Sequence, residues 1–177
     1  MDVIKFSQKT KQEAERLLVY GNIVNILSKH GKVVLSGSYR YDLMWGPDID
    51  LIVISDKPKV ASYDALKDFI EQRKFQKYQL GDFINFPLKN RPQGVIVVLI
   101  LEFEGRKWEI EIWFMKSLSE DDRYFKKLLS KVSPKQRKAI LELKYQRDMD
   151  GLSKHQLDSA TIYKGVLIEG KTNIKDF

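Results

Sequence analysis

Two apolar runs, Val33-Val34-Leu35 and Leu51-Ile52-Val53-Ile54, are tied by a segment that carries Ser36-Gly37-Ser38 at one end and Asp48-Ile49-Asp50 at the other. The second run is apolar at consecutive positions, so a strand built from it buries both faces and demands a covered sheet. A buried strand that opens on two carboxylates constrains the fold more than any other feature of the chain. Side chains alternate along a strand, so Asp48 and Asp50 point to one face, about 7 Å apart along the backbone. Two carboxylates that close repel, and each raises the pKa of the other. A divalent cation between them removes that penalty, and magnesium takes carboxylate oxygens while leaving room for substrate phosphates. Gly37 lets backbone N–H groups approach a phosphate closely, and Ser38 adds a hydroxyl donor.

The 177 residues supply one sizeable core. The charged and hydrophobic shares, 31% and 43%, are those of a globular protein and exclude disorder. No uncharged apolar run approaches the ~20 residues of a membrane span, and the amino terminus has no apolar stretch of a secretory signal. The absence of cysteine excludes disulfides, thiolate metal sites and a cysteine nucleophile, and fits a cytoplasmic protein. The net charge of +7 favours anionic partners, nucleotides and RNA among them, although the basic residues are scattered rather than blocked.

The periodicity predicts a helix over 8–29, a strand over 32–35, a short helix over 39–44 and a turn at Trp45-Gly46-Pro47. A strand over 49–54 and a helix over 62–75 follow. Residues 78–93, with Pro87 and Pro92, read as loop. The stretches 95–103 and 107–114 form a hairpin about Glu104-Gly105-Arg106. The remainder reads as helices to about 131, over 134–148 and over 157–169. The second of these starts at Ser133-Pro134-Lys135-Gln136, with serine at the N-cap, proline at N1 and glutamine at N3. The order predicts an α+β fold, a mixed sheet flanked by helices, with a core over 1–116 and a helical segment over 117–177 packed on it.

A site that holds two metal ions needs a further acid from another strand. In Trp108-Glu109-Ile110-Glu111-Ile112-Trp113-Phe114 the glutamates share one face and the apolar residues the other. Glu111 lies deeper in the strand than Glu109 and is the choice for the third acid. Glu109 reads as a solvated residue, and Glu102 ranks below both. His30 and His155 have no companion ligands and read as structural or surface residues. Asp148-Met149-Asp150-Gly151 lacks the remaining ligands of a calcium loop and reads as a helix ending.

Gly37-Ser38, nine intervening residues and then Asp48-Ile49-Asp50-Leu51 resemble the signature of the nucleotidyltransferase superfamily, which includes DNA polymerase β and the kanamycin and lincosamide nucleotidyltransferases. The resemblance covers roughly residues 30–115. It implies transfer of a nucleoside monophosphate from a nucleoside triphosphate, ATP among them, to a hydroxyl acceptor, with release of pyrophosphate. It also implies two magnesium ions (manganese as the alternative) held by Asp48, Asp50 and Glu111, and triphosphate contacts from Gly37 and Ser38. Arg40, two residues beyond Ser38, is a further candidate for the phosphates. The chain departs from the pattern in placing Arg40 and Asp42 where many small members have alanine and glycine, and glutamate where aspartate is commoner as third acid. The acceptor is left among RNA or tRNA, a protein and a small molecule, and the partner among a second copy and a toxin–antitoxin mate. The rival reading is a non-catalytic nucleotide-binding or antitoxin-like module of the same fold.

Overall fold

The structure, a computed structural model, describes residues 1–89 and 91–177. Helix α1 (Val3–Tyr20) begins at Asp2, whose carboxylate accepts from the N–H groups of Ile4 and Lys5, both at 3.1 Å. The expected helix over 8–29 is two helices. Asn22 takes a left-handed φ of 50°, which ends the first helical path and starts α2 (Ile23–Ser28). Strand β1 (Lys32–Leu35), the single-turn helix α3 (Gly37–Arg40) and strand β2 (Asp48–Ile54) follow, and α3 is earlier and shorter than the 39–44 expected. Helix α4 (Pro58–Gln72) crosses back to β3 (Lys77–Asp82), and β4 (Val95–Phe103) and β5 (Arg106–Met115) form the expected hairpin.

The sheet order is β1-β2-β5-β4-β3, mixed because β2 runs parallel to β5 while the other neighbours are antiparallel. Strand β3 falls partly in the stretch expected to be loop. It is an edge strand with no residue fully buried, held by its backbone register on β4 from Lys77↔Ile100 to Asp82↔Val95. Ile49, Leu51 and Val53 of β2 and Trp108, Ile110, Ile112 and Phe114 of β5 pack into a core with α1, α2 and α4. The opposite sheet face carries Asp48, Asp50, Glu109 and Glu111 at its upper end.

After Ser117 come α5 (Glu120–Leu129), α6 (Pro134–Met149) and α7 (Ser159–Leu167), with capping boxes at Ser119/Asp122 and at Ser133/Gln136. They share a second core with Val3 at the start of α1 and with Leu43 and Trp45. Trp45 sits between Phe6 and Tyr145, at centroid distances of 4.7 and 5.8 Å, and its Nε1 donates to Asp148 at 2.8 Å. These contacts fix the segment that enters β2, so the helices position Asp48 from a hundred residues away. Among the described residues no helix is long and apolar enough to cross a membrane.

Candidate active site

Asp48 and Asp50 begin β2 on one face, and the parallel register places Asp48 beside Glu109 and Asp50 beside Glu111. The N–H of Ser36 donates to the carbonyl of Asp50 at 3.1 Å, which ties the turn before α3 to the strand. Each aspartate nests against a glycine. A Cβ on Gly37 would overlap Asp50 Oδ2, and one on Gly46 would lie 2.6 Å from Asp48 Oδ1. Gly37 has φ +57°, the left-handed region that glycine adopts at no steric cost. The sequence pattern accounts for glycine as a phosphate turn; the structure adds that a side chain at 37 is excluded by Asp50 itself.

A cavity of about 240 Å³ opens on this arrangement. Gly37, Ser38, Asp48 and Asp50 form one wall, and Phe125 of α5 with Ser159 and Tyr163 of α7 form the other. Behind them Lys144 is 2% exposed and donates to the carbonyl of Leu43 at 2.8 Å and to Tyr163 Oη at 2.9 Å. Arg40 lies outside the cavity. Its guanidinium donates to the carbonyl of Leu35 at 3.1 Å and lines the neighbouring groove.

The electrostatics are those of confined like charges. Burial pushes the Asp50 carboxyl up to about 7, and Asp48 and Glu111 push the same way. The Glu111 carboxyl is also raised, first by burial and then by Glu109, with Arg91 opposing. Burial lowers the Lys144 ammonium to about 7 against the pull of Asp48 and Asp50. Lys154, in the loop between α6 and α7, puts its ammonium 3.0 Å from Asp48 Oδ1. That side-chain cation sits on Asp48 beside Asp50, and both acids offer hard oxygen donors, so Asp48 and Asp50 fit magnesium. Among the described residues no three His, Cys, Asp or Glu side chains form a group that could hold an ion, so Glu111 stands apart from the pair as the side chains lie. Glu109 and Glu102 are exposed.

Residues 21–142 match the nucleotidyltransferase domain family. The chain belongs to that family. The fold of this nucleotidyltransferase domain is similar to that of the polymerase core of TRAMP, an RNA surveillance complex (16% identity, TM-score 0.57, 86% of this chain and 49% of that one). It is similar also to a cytoplasmic RNA terminal U-transferase (18%, TM-score 0.61, 93% and 52%) and to the Cid1 poly(U) polymerase bound to magnesium and 3′-dATP (17%, TM-score 0.51, 82% and 46%). The domain thus spans about half the length of these proteins, and at such identities the likeness is one of fold. No curated protein matches by sequence.

Lys154, Lys144, Phe125 and Tyr163 carry no local sequence signal, since each reaches the site through the packing of the helices. The Lys154 pair is exposed, which limits it to a small contribution. Lys154→Ala is expected to tighten magnesium binding by about two- to fivefold at low salt, because the ion no longer displaces an ammonium from Asp48. Titration calorimetry with magnesium alone reads this directly. Weaker binding in the variant would show instead that Lys154 helps to build the ion site.

Proposed function

We propose that this domain transfers a nucleoside monophosphate from a nucleoside triphosphate to a hydroxyl acceptor and releases pyrophosphate. The observation that carries the reading is the placement of Asp48 and Asp50 on one strand face, in the wall of a cavity that also holds Gly37 and Ser38. Asp48 and Asp50 would hold magnesium, which when bound neutralises charge on the phosphates and polarises the α-phosphate. Gly37 and Ser38 would hold the β- and γ-phosphates by a backbone N–H and a hydroxyl. The acceptor oxygen forms a bond to the α-phosphorus as the bond from that phosphorus to the β-bridging oxygen breaks, and the electron pair leaves with pyrophosphate. Glu111 would receive the acceptor's proton; burial and Glu109 make it a stronger base than an ordinary glutamate.

An RNA hydroxyl is the acceptor class that the charge of +7 favours. RNA figures also in the names of the TRAMP core and the terminal U-transferase that share the fold. The test is incubation of the protein with each α-labelled triphosphate, magnesium and a single-stranded oligoribonucleotide, beside an Asp48→Asn, Asp50→Asn variant. Label is expected in the RNA with the wild type and not with the variant. Nucleotide binding with no label in RNA, protein or small-molecule fractions of a cell extract would replace the transferase by a binding module.

A further inference from the structure

The sheet face that bears Asp50 continues beyond the cavity. Lys32 pairs with Ile54 and Val34 with Ile52, so these side chains share the face of Asp50 in the next strand. Between them and α5 runs an open groove of about 720 Å³, lined by Lys32, Arg40, Lys116 and Lys126 over an apolar floor that includes Val34 and Ile54. Among the described residues no carboxylate lines it. Among the described residues none of the four cations is ion-paired, although the chain carries 24 acids. Arg40 is held in place by its bond to Leu35 and by the ring of Tyr41, 5.5 Å from the guanidinium carbon. Lys126 lines both this groove and the cavity of Asp48 and Asp50, so the two lie side by side and meet at that side chain.

The geometry points to an oligophosphate site: the groove receives the pyrophosphate leaving group and leads it from Gly37 and Ser38 to the β1 edge of the sheet. This rests on the transferase reading. Direction decides between the leaving group and an acceptor strand. Glu111, where the acceptor belongs, is on β5, whereas the groove runs from the phosphate turn to the opposite side, along β1. The path beside β2 from Asp50 to Ile54 is about 13 Å at 3.3 Å per residue, long enough to carry an anion out of the cavity. Unpaired cations over an apolar floor attract an anion more strongly than the same charges already paired in water.

Lys32 and Lys116 lie at the far end and are exposed, so their removal does not threaten the fold. In calorimetry with inorganic pyrophosphate and no triphosphate, the Lys32→Ala, Lys116→Ala variant is expected to bind about tenfold more weakly than wild type. A Lys67→Ala, Lys175→Ala variant loses the same charge elsewhere and is expected to bind as wild type does. Equal affinity in all three proteins would overturn the proposal. So would loss of binding to a single-stranded oligoribonucleotide with pyrophosphate affinity kept, which would make the groove a nucleic-acid track. Because binding is read without turnover, a wild type that binds pyrophosphate through Lys32 and Lys116 yet transfers no nucleotide would sink the transferase reading and leave the anion site standing.

Discussion

Asp50→Asn is expected to abolish nucleotidyl transfer and, in the absence of metal, to make the protein more stable. The loss of activity follows from removing one of two carboxylates that would hold the ion, at least about a thousandfold by the several kcal/mol such an ion supplies. The gain in stability follows from the cost of ionising Asp50 in place, where burial, Asp48 and Glu111 all oppose the charge. The folded carboxyl is raised from 3.8 to about 7, so between those pH values the native state keeps a proton that the unfolded chain has lost. Stability therefore falls as pH rises through that window and is flat above it, by at most about 4 kcal/mol. Lys144 acts in the opposite sense. Its ammonium is lowered from 10.5 to about 7, so above pH 7 the unfolded chain binds the extra proton and stability rises towards pH 10. Urea unfolding in EDTA should show a minimum of stability near pH 7 for the wild type. In the Asp50→Asn variant the acid limb should shrink to what Glu111 contributes, and the alkaline limb should be kept. A wild type with no loss of stability from pH 4 to 7 would mean that the acids are better solvated than their burial implies.

What the sequence reveals of this site and what it hides divide along a physical line. The acids are legible because strand alternation is local: Asp48 and Asp50 must share a face, and so must Glu109 and Glu111. The hairpin and the cap at Ser133 are legible for the same reason, being set by neighbours in the chain. Strand β3 is not, because an edge strand with no residue fully buried takes its order from the backbone of β4 and leaves no apolar pattern. The break at Asn22 is hidden because apolar spacing continues through it. Lys144 and Lys154 are hidden for a stronger reason. They lie about a hundred residues from Asp48, and the packing of the C-terminal helices on Leu43 and Trp45 brings them to the site. Arg40 shows the converse limit. Two residues from Ser38 in sequence, it is turned to the groove by its bond to Leu35.

Gly37→Ala is expected to cost both stability and activity, and the two costs have separable causes. At φ +57° any Cβ is strained, by roughly 1 kcal/mol. Gly105 has φ +74° with nothing within 4 Å of a Cβ, so Gly105→Ala measures that strain alone and should leave transfer within about twofold of wild type. At Gly37 the added carbon would overlap Asp50 Oδ2 and lie 2.7 Å from Asp50 Cγ. Asp50 has little freedom to retreat. Its strand is paired on both sides, and its carbonyl accepts from Ser36 at the start of the same turn. Either α3 shifts outward or the carboxylate turns away from the cavity, and both separate the phosphate turn from the acids. A displacement of that size is expected to lower transfer about a hundredfold, with a further 1–2 kcal/mol of destabilisation beyond the Gly105 variant. Activity kept in Gly37→Ala at equal stability would show that the close approach of Gly37 to Asp50 is incidental. In that case the turn serves the phosphates through the hydroxyl of Ser38, and Ser38→Ala becomes the variant that loses affinity for the triphosphate.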